Sequence, residues 1–118
     1  MGDDSMAPLR EPPVRGMEQV NGSFVVHLGG ELDLYNAEEV RGALAQAIEA
    51  SPQRIVVDME NVEFVDSTAL GVLIEARSKL GRDGLALAAP RLDTRRTLEV
   101  SGLDRHLPVH DTVAEALA

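Results

Sequence analysis

Val62-Glu63-Phe64-Val65-Asp66-Ser67-Thr68-Ala69-Leu70-Gly71-Val72-Leu73-Ile74 is the stretch on which the fold turns. Apolar residues alternate at Val62 and Phe64, then recur at helical spacing at Leu70, Leu73, Ile74 and Leu80, with Arg77 the one polar member of the stripe. The hydrophobic period changes from two to about 3.6 across Asp66-Ser67-Thr68. The spacing predicts a strand that ends here and a helix from about Ser67 to Leu80, with Gly81 as its C-terminal cap and Lys79 and Arg82 near the negative end of its dipole. A helix start leaves backbone N–H groups without partners, and Asp66 or Ser67 can accept a hydrogen bond from one of them. The same geometry places Ser67 at the positive end of a helix, on a short turn that another protein can reach.

Upstream, Met17-Glu18-Gln19-Val20, Asn21-Gly22 and Phe24-Val25-Val26-His27-Leu28 form a hairpin signature, because Asn-Gly readily supplies the two positive-φ positions of a tight turn. Gly29-Gly30 is expected to break the second strand. Glu31-Leu32-Asp33-Leu34-Tyr35 then reads as a loop with an exposed acidic and apolar rim, of the kind a partner protein grips. Asn36 is expected to cap the next helix, with Glu39 completing a capping box. Val40, Leu44, Ala47 and Ile48 share its apolar face, and Pro52 stops it. Ile55-Val56-Val57-Asp58-Met59 has the β-branched run of a buried central strand.

Downstream, Leu85-Ala86-Leu87-Ala88 returns as a strand. Pro90 opens and Gly102 closes a helix whose apolar face is Leu92, Leu98 and Leu103. Asp111 is expected to cap a last short helix carrying Val113 and Leu117. Strands alternating with helices imply an α/β domain whose helical crossovers join parallel neighbours. Residues 1 to 15 hold Pro8, Pro12 and Pro13 with Gly2, Asp3, Asp4 and Ser5, show no periodicity, and read as a flexible tail before a single domain over 16–118.

Composition narrows the function. The 118 residues suffice for one core, and the absence of cysteine removes disulfide and thiolate chemistry. Aromatic content of 3% leaves no stacking platform for single strands, and a formal charge of −9 repels phosphate backbones and anionic lipid. No apolar run approaches the ~20 residues of a membrane span, and no charged-then-apolar leader opens the chain. The expectation is a soluble cytoplasmic domain that binds neither nucleic acid nor membrane.

Few residues carry chemistry. An Asp-Ser-Thr before a helix is first of all a cap. A nucleophilic serine needs a base and an oxyanion site, and the G-x-S-x-G elbow is missing around Ser67, so no catalytic residue is assigned. His106 and His110 are four apart beside Asp111, but Pro108 between them argues against a shared helix and a metal. His27 alternates with Val26 and Leu28 and is expected on the less buried strand face. Arg91, Arg95 and Arg96 read as a solvated helix face. Gly29-Gly30 and Gly81 to Gly84 lack the spacing and lysine of a phosphate loop, so no cofactor is implied.

Three stretches in order, Gly30-Glu31-Leu32-Asp33 followed by Ala37, Val65-Asp66-Ser67-Thr68-Ala69-Leu70-Gly71, and Leu98-Glu99-Val100-Ser101-Gly102-Leu103, together resemble the STAS domain of bacterial anti-sigma factor antagonists. The resemblance covers nearly the whole chain after the tail. It implies a mixed sheet of about four strands packed against helices, and a non-enzymic switch that is a monomer or weak dimer. In that family the antagonist binds an anti-sigma factor that is also a serine kinase, which frees a sigma factor. Phosphorylation of the serine after the motif aspartate breaks the complex, and a metal-dependent serine phosphatase resets it. That serine corresponds to Ser67; Asp66, Thr68 and Asp33 match motif or loop positions, and Glu31 and Ala69 stand beside them as partner-facing. Many members have Gly where this chain has Ala69, which implies a tuned kinase fit, since Gly lets a partner backbone approach more closely. The alternative is a STAS scaffold or transport-complex subunit in which Ser67 is only a helix cap. A serine hydrolase would predict labelling of Ser67 by a fluorophosphonate.

Overall fold

The structure, a computed structural model, describes residues 10–81 and 83–118. Of the sequence expectations, the dipole role of Arg82 and the tail residues before Arg10 lie outside them. The elements follow as β1 (Val14–Val20), β2 (Ser23–Leu32), α1 (Ala37–Glu49), β3 (Ile55–Val65), α2 (Ser67–Leu80), β4 (Leu85–Ala88), α3 (Leu92–Ser101), a 3-10 turn (Leu103–Arg105), β5 (Val109–His110) and α4 (Val113–Leu117). They build one mixed sheet in the spatial order β1-β2-β3-β4-β5. β1 and β2 are antiparallel, and each later neighbour is parallel.

The hairpin arises as the sequence predicts. Asn21 and Gly22 have φ of 49° and 86°, both in the left-handed region that an Asn-Gly turn supplies, and Val20 pairs with Ser23 across it. The parallel pairs need crossovers, and α1, α2 and α3 provide them. Alternation divides the strands between two cores. Val26, Leu28, Ile55, Val57, Met59, Leu85 and Leu87 join Leu44 of α1, Leu73 of α2 and Leu98 of α3 in the larger one. On the opposite face Val25, Val56, Ala86 and Ala88 meet Ala116 of α4. Alanines on β4 let a helix of only five residues approach that side, while leucines fill the thicker layer.

Several local expectations are corrected. The sheet has five strands rather than about four, because Val109 and His110 pair with Leu87 and Ala88. Two residues carry no periodicity, so the sequence has no signal for them. Gly29-Gly30 does not end β2, which continues through Glu31 and Leu32. The glycines instead sit where the β2–β3 register slips, and Gly30 takes φ of 74°. A side chain at Gly29 would meet the Arg15 guanidinium at 2.7 Å, so the position accepts only glycine without displacing that arginine. Strand β1 begins at Val14, inside the 1–15 stretch expected to be tail, and Pro13 O accepts a 3.0 Å hydrogen bond from Gly29 N.

Caps also differ. Asn36 stands at the start of α1 but makes no side-chain cap bond, so the capping box with Glu39 does not form. Thr112, not Asp111, caps α4 by accepting from Glu115 N, and Asp111 pairs with Arg95 at 2.8 Å. In α2 the buried residues are Ala69, Leu70, Val72, Leu73 and Ala76, a stripe rotated from the expected one because small alanines face the packed side. Leu92 is exposed and contributes nothing to the core.

On the sheet face opposite α1 and α2, His27 Nδ1 lies 2.6 Å from Asp58 Oδ2 and its Nε2 lies 3.3 Å from Glu18 Oε1. Burial disfavours the imidazolium, but the two carboxylates outweigh it and the His27 pKa is raised above 6.5. A raised folded-state pKa stabilises the fold fully below the unfolded value, and that contribution is lost as pH rises through the folded value. We expect the stability difference between wild type and His27→Gln to be larger at pH 5.5 than at pH 8.5, measured by urea unfolding. A difference that is flat with pH would show that the pair carries no proton-linked stability.

Candidate functional site

β2 and β3 run parallel and end together, with Leu32 opposite Val65. Their continuations, the β2–α1 loop and the start of α2, therefore emerge side by side at the carboxyl edge of the sheet, where loops of open α/β sheets gather functional residues. Leu32 and Val65 are buried and anchor the two ends, and Asp66 N donates to Leu32 O at 3.0 Å.

Asp66 joins the two loops. Its Oδ1 accepts from Ala69 N at 3.0 Å, which caps α2, and its Oδ2 accepts from Leu34 N at 3.1 Å, which holds the neighbouring loop. The loop is further tied from within. Asn36 Oδ1 accepts from Asp33 N at 2.9 Å, Asn36 Nδ2 donates to Glu31 O at 2.8 Å, and Asp33 Oδ1 accepts from Tyr35 N at 3.0 Å. Asn36 is thus spent on the loop, which is the physical reason it does not cap α1.

Because Asp66 takes the capping role, Ser67 is free of it. Ser67 is the first residue of α2 and is exposed, as is Thr68. Among the described residues neither hydroxyl has a hydrogen-bond partner. Around them stand Leu34 and Tyr35, 61% and 82% exposed, and Phe64 at 53%. Large apolar side chains left in water beside acids make a rim suited to protein contact. Glu31, Glu63, Glu38 and Glu39 are exposed, and Asp33 is half-buried.

Of the residues singled out by sequence, Asp66, Ser67, Thr68, Asp33 and Glu31 come together on this rim. Ala69 does not. It is 1% exposed, its methyl lies in the core, and its N–H is taken by Asp66, so the expectation that it faces a partner is corrected. Two rim residues escape sequence reading. Phe64 reads as an inward partner of Val62, yet Val62 is fully buried and Phe64 exposed, because the slip that pairs Glu31 with Phe64 leaves Glu63 as an extra residue. Arg10 falls within the expected tail, but its Nη2 donates to Glu31 O at 2.9 Å and lies 3.2 Å from Asp33 Oδ2. That pairing spans 23 positions and leaves no local signal.

The other candidates stay apart. His106 follows the 3-10 turn and His110 lies in β5, so they share no helix face. Arg95 pairs with Asp111, and Arg91 Nε donates to Glu60 O at 3.1 Å. No helix among the described residues is long and apolar enough to cross a membrane.

The STAS domain model matches residues 15–116. The chain belongs to the STAS family. It is 32% identical over 104 residues to an anti-sigma F factor antagonist of Paenibacillus polymyxa, covering 86% of this chain and 89% of the relative. The crystal structure of an anti-sigma factor antagonist from Mycobacterium paratuberculosis superposes with a TM-score of 0.80 at 33% identity, over 86% of this chain and 87% of that one. The Bacillus cell fate determinant SpoIIAA in the phosphorylated form gives a TM-score of 0.60 at 28% identity, over 86% and 95% of the two chains. This STAS domain therefore shares its fold, over 86% of its length, with a protein named as an antagonist.

Proposed function

We propose that the chain is a non-enzymic, cytoplasmic anti-sigma factor antagonist, switched by phosphorylation at Ser67. The carrying observation is that an exposed serine hydroxyl opens α2 while the neighbouring Asp66 does the capping and holds the facing loop. The rim of Leu34, Tyr35, Phe64, Thr68, Asp33 and Glu31 docks an anti-sigma factor that is also a serine kinase, and docking releases the sigma factor. Transfer of the γ-phosphoryl group of ATP to Ser67 Oγ releases ADP and the hydroxyl proton. A serine phosphatase hydrolyses the ester to restore the hydroxyl and free phosphate. Relatives named as antagonists, among them SpoIIAA, which is also solved in a phosphorylated form, support this reading.

The electrostatics suit a binding switch. A phosphoserine adds about −1.5 to −2 charges at pH 7. The α2 N-terminus stabilises that charge locally by ~0.3–1 kcal/mol, so the fold survives. In a desolvated interface already lined by acids, the same charge is repelled and unpaired, and a loss of about 1.4 kcal/mol is tenfold in affinity.

Intact-mass spectrometry after incubation with ATP and a kinase-type anti-sigma factor tests the site. We expect one added phosphate on wild type and none on Ser67→Ala. A phosphate retained in Ser67→Ala would move the acceptor to Thr68. No phosphate, and no complex with any anti-sigma kinase, would overturn the antagonist reading in favour of a scaffold in which Ser67 merely begins a helix.

A further inference from the structure

Arg10 precedes the part of the chain that matches the STAS domain, yet it reaches two residues of the rim, Asp33 and Glu31. Its guanidinium lies against Glu31 O at the end of β2 and Asp33 Oδ2 on the loop that follows, which Asp66 ties to the start of α2. The segment behind it is held in place. Arg15 Nε donates to Pro12 O at 2.7 Å, and Pro13 is buried against the start of the sheet. Arg10 is therefore delivered to the loop by an anchored strap.

The strap is not what shapes the loop. Asn36 holds Asp33 N and Glu31 O, Asp66 holds Leu34 N, and Asp33 Oδ1 holds Tyr35 N, all without Arg10. Arg10 adds a contact to the other carboxylate oxygen of Asp33 and a second donor to Glu31 O, which Asn36 already holds. The arginine side chain is 46% exposed while the Asp33 side chain is 19% exposed, so the cation is the partner that water and a competitor can lift away. A cationic side chain approaching Asp33 from another protein must displace it.

We propose that Arg10 is an intramolecular competitor at the partner surface, occupying Asp33 until a lysine or arginine of the anti-sigma factor takes its place. This rests on the antagonist reading above. Arg10 weakens the complex by filling the acceptor, so that a cation of the partner must displace it before pairing with Asp33. Exposed charge pairs are individually weak, so the effect is a trim of affinity rather than an on–off lock.

The test is calorimetric titration of unphosphorylated wild type, Arg10→Ala, Asp33→Asn and the double variant with a kinase-type anti-sigma factor. Amide hydrogen exchange at Leu34 and Tyr35 accompanies it. We expect Arg10→Ala to bind about three- to tenfold tighter, with unchanged exchange at both amides, and the gain to vanish in the Asp33→Asn background. Equal or weaker binding by Arg10→Ala would overturn the competitor role, as would a gain that persists in Asp33→Asn. Faster exchange at Leu34 and Tyr35 in Arg10→Ala would also overturn it, by making Arg10 an organiser of the loop. Failure of every form to bind, wild type included, would instead overturn the antagonist reading, and the competitor role with it.

Discussion

Ser67→Glu is expected to lower affinity for the kinase-type anti-sigma factor at least about tenfold, while Ser67→Ala binds close to wild type. Ser67 lies on the exposed start of α2 and its hydroxyl makes no hydrogen bond within the described chain, so neither substitution breaks an internal contact. Exposed substitutions of that kind usually change stability by less than about 0.5 kcal/mol, and the Tm of both variants should stay within roughly 3 °C of wild type. The binding loss must then come from charge at the interface. Glutamate brings one negative charge where phosphate brings nearly two, so authentic phosphoprotein should bind more weakly than Ser67→Glu. The glutamate variant should also lose its deficit partly at high salt if the repelling charges remain near solvent. Titration of the three unphosphorylated forms and the phosphoprotein against one partner checks the order. Wild-type affinity in Ser67→Glu would mean that the start of α2 lies outside the interface.

The second large effect is structural. Asp66→Ala should destabilise the domain by about 2 kcal/mol, because it removes an N-cap worth roughly 0.5–2 kcal/mol and leaves the Leu34 amide without its acceptor. For a domain of this size that corresponds to a fall in Tm of roughly 8–12 °C. Asp66→Asn keeps one carbonyl acceptor and should lie between the two. Amide exchange should accelerate at both Leu34 and Ala69 in Asp66→Ala, since one carboxylate serves both N–H groups. Loss at Ala69 alone would show that the loop holds itself through Asn36 and that Asp66 only caps. Partner binding should weaken together with loop protection, because Tyr35 and Leu34 are presented by that loop.

Where periodicity was long, sequence and structure agree. The change from two to 3.6 at Asp66-Ser67-Thr68 placed α2 at about Ser67 to Leu80, where it lies, because the strand end and helix start are local decisions of neighbouring residues. Asn21-Gly22 likewise declared its turn, and Val40, Leu44 and Ala47 declared the buried face of α1. Disagreement begins where a residue's role depends on a distant segment. Asn36 has the chemistry of a cap, but Glu31 and Asp33 compete for its amide and win. Gly29-Gly30 looked like an ending because glycine usually interrupts strands, whereas β3 accommodates it through a register slip.

The rim was half legible for the same reason. Asp66, Ser67 and Thr68 are consecutive, and a helix start organises all three, so the chain alone placed them on one turn. Glu31 and Asp33 come from a different segment, and only the parallel pairing that sets Leu32 beside Val65 brings that segment to Ser67. Phe64 turned outward because one extra residue in β3 reverses the side on which a strand presents its side chains. Ala69 turned inward because α2 packs a wider face than its large apolar residues announce. Arg10 reached Asp33 through an ion pair for which no spacing rule exists. The Asn21-Gly22 turn and the long hydrophobic periods were thus determined along the chain, whereas the caps at Asn36 and Asp111 were not. Which residues meet on the rim was decided by strand register and long-range ion pairing, which depend on contacts between residues tens of positions apart.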